Sequence, residues 1–146
     1  YPRIIKPGSV NKDLCINVDL APTLLELAGI NAPAAMQGRS MAPLLQGKSQ
    51  KDWRQSQFYT YWGAPNHYGI RTERYTYLKI AGHPAELFDR QTDPNEVHNV
   101  ADNTENKPVV DRLEKELQKQ IREVDISQDE LPKSSKDKEK KKRPRK

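Results

Sequence analysis

The sequence predicts an α/β protein in two parts: a strand and helix within residues 1–30, then a small α+β unit, a four-stranded antiparallel sheet packed by a carboxy-terminal helix. Three observations carry this. Apolar residues of the segment 20–28 fall on one helical face, the segment 57–89 changes to a period of two, and the segment 110–124 returns to steps of three and four.

The opening segment Tyr1-Pro-Arg-Ile-Ile-Lys-Pro-Gly8 has the pattern of a short strand running into a Pro-Gly turn. Asp19 then stands where a helix N-cap belongs, Pro22 falls in the first turn, where a missing N–H costs little, and Leu20, Leu24, Leu27 and Ala28 line one face before Gly29. A short buried helix is expected. Between residues 31 and 47 the chain is rich in Pro, Gly and Ala, with Met41-Ala-Pro-Leu-Leu45 as an apolar anchor that allows one helical turn.

Phe58, Thr60 and Trp62 alternate with Tyr59 and Tyr61, the first of four expected strands. Gly69-Ile-Arg-Thr72 and Tyr75-Thr-Tyr-Leu-Lys-Ile80 flank Glu73-Arg74 as in a tight hairpin, and Glu86-Leu-Phe-Asp89 is the fourth run. Asp93-Pro-Asn-Glu96 supplies a turn, because Pro presets φ and the Asp carboxylate can accept hydrogen bonds from the backbone beyond it. Val110, Leu113, Leu117, Ile121 and Val124 then make the apolar stripe of an amphipathic helix that begins near Pro108 and is expected to cover one face of the sheet.

Composition limits the core. Of 146 residues, 34% are hydrophobic and 31% charged, and the mean hydropathy is -0.97, so little apolar material is left for burial. The net charge of +5 is a property of the end of the chain: residues 131–146 hold nine Lys or Arg against two Asp or Glu, and the remainder is mildly acidic. This run has no aromatic residue to stack on a base. It is expected to be a disordered, solvated tail, and no specific nucleic acid is expected as partner. Tyr1 stands at the first position in place of Met, which leads us to expect a piece of a longer protein. Neither a membrane span nor a signal peptide is visible in the residues given.

Chemistry-bearing residues are sparse. Cys15 is the only cysteine, which excludes an intrachain disulfide and zinc sites that need two or more cysteines, and its thiol is expected to be buried. His67, His83 and His98 share no ligand spacing, the seven glycines form no phosphate-binding loop, and Asp93 and Glu96 belong to a turn. No nucleophile-and-base pair and no metal-ligand set stands out.

In order along the chain, Asn17-Val-Asp-Leu-Ala-Pro-Thr-Leu-Leu-Glu-Leu-Ala-Gly-Ile30, Met36-Gln-Gly-Arg-Ser-Met-Ala-Pro-Leu-Leu45, Gly69-Ile-Arg-Thr-Glu-Arg-Tyr75, Glu86-Leu-Phe-Asp89 and Thr92-Asp-Pro-Asn-Glu-Val-His-Asn99 resemble the carboxy-terminal third of type I sulfatases, over residues 1 to about 124. The resemblance implies that residues 1–50 are the last elements of an alkaline-phosphatase-like α/β sandwich with a connecting loop and that residues 51–126 are the carboxy-terminal α+β subdomain; residues 127–146 lie outside it and are expected to be the disordered basic tail. It implies hydrolysis of sulfate esters, often of carbohydrates, with a formylglycine made from Cys or Ser and a bound calcium ion. Cys15 is followed by Ile16-Asn17-Val18 and does not match the family's nucleophile motif. No catalytic or metal residue is therefore expected here, no cofactor is expected to be bound by this chain, and the chain alone is expected to be inactive.

The family's smaller domain contributes to the substrate pocket, which points to Asn66-His67-Tyr68-Gly69-Ile70-Arg71 at the start of the hairpin. There His67 and Arg71 are the candidates for contact with an anionic or hydroxylated ligand, and Gly69 permits close backbone approach. The structural alternative is that His67 packs a strand end and Arg71 pairs with Glu73. Thr76 stands where the family often has Lys. The implied partner is a sulfated small molecule or saccharide, and the implied location is periplasmic or secreted. Two other readings stay open: a non-catalytic binding protein whose basic tail recruits a polyanion, and part of a related phosphatase or phosphodiesterase. Expressed by itself the chain is expected to be poorly soluble or partly unfolded.

Overall fold

The computed structural model describes residues 1–48, 50–63, 65–127 and 130–132. The chain divides into two units, Tyr1–Gln55 and a second that starts at Ser56.

The first unit opens in turns. Residues 1–8 form no strand: the Ile5 amide donates to the Tyr1 carbonyl at 3.0 Å and the Ser9 amide to the Lys6 carbonyl at 3.1 Å. Pro2 and Pro7 remove two amide donors from the segment, and no described strand of this unit lies beside it to pair with. A 3-10 turn, Asn17–Asp19, leads into α1, Leu20–Leu27. The helix ends where Gly29, at φ 73°, lets the Ile30 amide reach back to the Leu25 carbonyl at 2.9 Å and the Gly29 amide to that of Glu26 at 3.0 Å. A second short helix, α2, spans Ala42–Leu45, with Ala42 and Leu44 buried.

The expected burial of the leucine face of α1 is not found. Leu20 is 55% and Leu24 66% exposed, while Pro22 and Thr23 on another side are buried. Periodicity marks an apolar face, but burial needs a partner, and in its unit α1 meets chiefly the adjoining 3-10 turn and the small α2.

What holds this unit is a polar clasp. Asp19 is fully enclosed, and its carboxylate does not cap α1. It accepts hydrogen bonds from the Ile16 amide at 2.9 Å, the Arg39 amide at 2.9 Å and both terminal nitrogens of Arg54. Thr23 adds a second link, donating to the Asp19 carbonyl at 2.5 Å and accepting from the Met41 amide at 2.8 Å. Trp53 is buried, donates its indole N–H to the Leu14 carbonyl at 3.0 Å, and lies beneath the Arg54 guanidinium. A buried charge is tolerated here because every acceptor position is occupied.

The second unit follows the sequence closely. Strands β1 (Ser56–Tyr61), β2 (His67–Thr72), β3 (Tyr75–Ile80) and β4 (Glu86–Asp89) form an antiparallel sheet in the order β1-β2-β3-β4, and α3 spans Lys107–Glu123. Glu73-Arg74 makes the tight turn between β2 and β3, closed by Thr72, whose hydroxyl accepts from the Tyr75 amide at 2.8 Å and donates to the Tyr75 carbonyl at 3.1 Å. Trp62 lies past the end of β1 and is 63% exposed.

The register separates the two faces. Phe58, Ile70, Tyr77 and Leu87 form one cross-strand row, and this row is the core, packed with Leu113, Leu117 and Ile121 of α3. The edges of the helix are tied polar to polar: Glu114 accepts from the Tyr77 hydroxyl at 3.0 Å and the Lys79 ammonium at 3.0 Å, and Glu116 accepts from the Ser56 hydroxyl at 2.9 Å. Helix α3 closes with Asp125 at φ 55°, the Ile126 amide donating to the Ile121 carbonyl at 3.2 Å. Leu131 also enters the core, 3% exposed, although it lies within the tail expected at residues 127–146, because its apolar side chain packs with the sheet and α3; residues 128–129 and 133–146 of that tail lie outside the described residues.

Candidate functional site

Because side chains alternate along a strand, the residues between the core rows project to the opposite face of the sheet. One row there is Gln57, Arg71, Thr76 and Phe88; the next is Tyr59, Gly69, Leu78 and Glu86; a third pairs Tyr61 with His67 and Ile80. The two residues singled out by sequence, His67 and Arg71, thus share one face of β2, separated by four residues of strand, roughly 13 Å at about 3.3 Å per residue.

Gly69 lies between them and cannot be replaced without movement. A Cβ there would collide with the Tyr77 carbonyl oxygen and come within 3.0 Å of Leu78 Cα and 3.1 Å of the Tyr59 hydroxyl. The close backbone approach expected at this glycine is therefore present, and the space is filled by the Tyr59 phenol.

His67 is half-buried at the start of β2. Its Nδ1 is 3.0 Å from the Pro65 carbonyl oxygen, which can only accept, so Nδ1 carries the proton and Nε2 is the nitrogen able to meet a ligand. Its ring is held among aromatics, 5.0 Å from the Tyr61 centroid at a tilt of 35° and 6.1 Å from that of Tyr59 at 79°. Tyr61 itself is 52% exposed. The aromatic neighbours fix the ring plane without covering it entirely.

Arg71 pairs with a carboxylate, but Glu73 is not the partner. Its Nη1 is 3.5 Å from Glu96 Oε1, whereas Glu73 is an exposed residue of the hairpin turn. The same Glu96 oxygen accepts from the Thr76 hydroxyl at 3.0 Å and lies 3.3 Å from Arg90 Nε. Thr76 is 2% exposed and donates its hydroxyl to Glu96. The Tyr59 hydroxyl is pushed up to about 12 by burial, with Glu96 raising it further and Arg71 opposing, so it stays a neutral donor at any physiological pH.

Glu96, Arg90, Thr76 and Tyr59 were not among the sequence candidates. The only signal for Glu96 was its place at the end of the Asp-Pro-Asn-Glu turn. That turn has the expected geometry: the Asp93 carboxylate accepts from the amides of Val97 and His98 at 2.7 and 2.8 Å, which lowers its pKa. Asp93 and Glu96 are accordingly not a carboxylate pair acting together; one fixes the turn and the other reaches the sheet face.

The groups implied for the family's chemistry do not fit the residues at hand. Among the described residues no cluster of His, Cys, Asp and Glu could hold a metal ion. Cys15 is exposed, against the expectation of burial: the chain's contacts here run through the neighbouring Leu14, whose carbonyl accepts from the Trp53 indole, and leave the Cys15 side chain outside. Its thiol is raised above the ordinary value by partial desolvation and by the Asp19 carboxylate, which disfavours the reactive thiolate. No helix of the described residues is long and apolar enough to cross a membrane.

Comparison with known proteins gives this face its context. The family model described as N-sulphoglucosamine sulphohydrolase, C-terminal, matches residues 1–123. An N-acetylglucosamine-6-O-sulfatase of Bacteroides thetaiotaomicron is 34% identical over 143 residues, covering 89% of this chain and 26% of that protein. A solved structure in complex with its substrate, D-glucosamine-2-N,6-O-disulfate, superposes with a TM-score of 0.82 at 31% identity, over 88% of this chain and 28% of the other. A phosphonate monoester hydrolase from Silicibacter pomeroyi superposes with a TM-score of 0.70 at 28% identity, over 82% and 27%. The chain spans about a quarter of the length of these relatives. With a family match that runs through the first unit, all four strands and α3, this chain belongs to the sulfatases of the alkaline-phosphatase-like superfamily, as their carboxy-terminal region.

Proposed function

We propose that this chain forms the substrate-facing carboxy-terminal portion of a sulfuric ester hydrolase that acts on a sulfated saccharide, with His67 and Arg71 as its contacts. The observation that carries the reading is the similarity, over 88% of the chain, to a structure that holds a disulfated glucosamine. This sheet face supplies suitable chemistry: Arg71 offers several N–H donors of fixed geometry to an anionic group, and His67 Nε2 can accept from a hydroxyl. Under this reading the formylglycine and the calcium ion belong to segments of the enzyme outside this chain, and the enzyme is periplasmic or secreted.

The test is an assay of the complete enzyme carrying this chain. Release of sulfate from a sulfated glucosamine is expected. Hydrolysis of a phosphonate monoester without sulfate release would instead favour the second reading, which the similarity to the phosphonate monoester hydrolase supports.

A further inference from the structure

Glu96 is held in an unusual backbone state. It is one of only two non-glycine residues at positive φ among those described, at 55°, and side chains pay for that conformation in steric repulsion. The turn that imposes it is pinned by Asp93, whose carboxylate takes the two following amides and whose carbonyl accepts the Glu96 amide at 3.1 Å. One Glu96 carboxylate oxygen then stands beside three groups: it accepts from the Thr76 hydroxyl at 3.0 Å, and it is paired by charge alone, without a hydrogen bond, with Arg90 Nε at 3.3 Å and Arg71 Nη1 at 3.5 Å.

These three partners are not equivalent. Thr76 is buried in β3, and Arg90 is fixed independently, its amide donating to the Arg74 carbonyl at 2.8 Å and its Nη1 to the Glu73 carbonyl at 2.9 Å. Arg71 is the adjustable member: its side chain is 37% exposed, and its link to Glu96 is an ion pair at 3.5 Å through one nitrogen. A guanidinium has five N–H donors in a rigid fork, so one nitrogen drawn towards Glu96 leaves donors on the others for a second anionic group. Without Glu96, the cations Arg71 and Arg90 would stand near each other with no carboxylate between them, and the long Arg71 side chain would regain its rotamers.

We propose that Glu96 is the positioning residue for Arg71, holding the guanidinium so that its remaining donors meet an anionic group of the substrate. The proposal rests on the reading that Arg71 contacts substrate. Thr76 and Arg90 serve to fix the carboxylate, and the strained turn sets its height above the sheet.

The experiment compares Glu96→Gln, Arg71→Ala and the double variant in the complete enzyme, with KM, kcat and melting temperature measured on a sulfated glucosamine. Glu96→Gln keeps the shape and an acceptor for Thr76 but removes the charge. We expect its KM to rise about tenfold, the size of one charge-assisted contact, with kcat within about twofold and the melting temperature nearly unchanged. The double variant should be no worse than Arg71→Ala, since the two act through one contact. If Arg71→Ala raises KM and Glu96→Gln does not, or if the two effects simply add, the positioning role is overturned and the reading of the site stands. If Arg71→Ala itself leaves KM unchanged, both fall. Should Glu96→Gln fail to fold, Glu96→Asp, which keeps the charge and tolerates positive φ but shortens the reach, takes its place: a raised KM is expected, and an unchanged KM overturns the proposal.

Discussion

The carboxylate of Asp19 and the guanidinium of Arg54 meet edge to edge, Nη2 donating to Oδ1 at 2.7 Å and Nη1 to Oδ2, with the Arg54 side chain only 11% exposed and that of Asp19 fully enclosed. Desolvation of Asp19 works to raise its pKa, but the hydrogen bonds from Arg54 and from the Arg39 and Ile16 amides outweigh it, and the net direction is downward. A carboxyl lowered on folding stabilises the fold fully above its unfolded value, near ~3.9, and the contribution disappears as pH falls through the folded value. Protection of the Ile16 and Arg39 amides from hydrogen exchange should therefore be full above pH ~4 and be lost progressively below it, as pH falls through the lowered folded value. Asp19→Asn leaves Arg54 without a counter-charge and should cost about 3 to 5 kcal/mol. Unaltered protection of these amides in that variant would contradict the clasp.

Leu117 is fully buried at the centre of the α3 stripe, against Ile70, Tyr77 and Leu87 of the sheet. Leu117→Ala removes buried methyl groups and leaves a cavity that the sheet cannot close, so chemical denaturation should show a loss of about 2 to 5 kcal/mol. A change within experimental error would mean that the helix does not dock.

Gly69→Ala tests the crowding between His67 and Arg71. The atoms in the way include a backbone carbonyl and a Cα of β3, which cannot swing aside as a side chain can. Overpacking of this kind should cost about 1 to 3 kcal/mol and shift the amide resonances of Tyr77 and Leu78. A neutral substitution with unshifted resonances would contradict the register of β2 on β3.

The second unit was legible because each of its signals is local. Strict alternation from Phe58, the Glu73-Arg74 turn and the steps of the Leu113-Leu117-Ile121 stripe each fix an element without reference to distant chain, and the same parity puts His67 and Arg71 on one face. The first unit was less so. Asp19 has the sequence position of a cap, yet its carboxylate is drawn to Arg54, 35 residues away, and no local rule contains that pairing. The apolar side of α1 is periodic, but its burial depends on partners that periodicity does not supply. Glu96 was hidden for a similar reason: the turn chemistry of Asp93 was readable, whereas the direction of the fourth turn residue depends on the sheet it folds over.

Whether this face meets substrate is decided by the KM of His67→Ala in the complete enzyme on a sulfated glucosamine, taken alongside the melting temperature. His67 is half-buried at the aromatic end of this face, beside the exposed Tyr61 and outside the core row, so its loss should leave folding stability only modestly reduced. A KM raised by about tenfold or more in a folded variant, equivalent to at least about 1.4 kcal/mol of lost binding, is the expected result. A folded variant with an unchanged KM would contradict the assignment of this face to the substrate pocket.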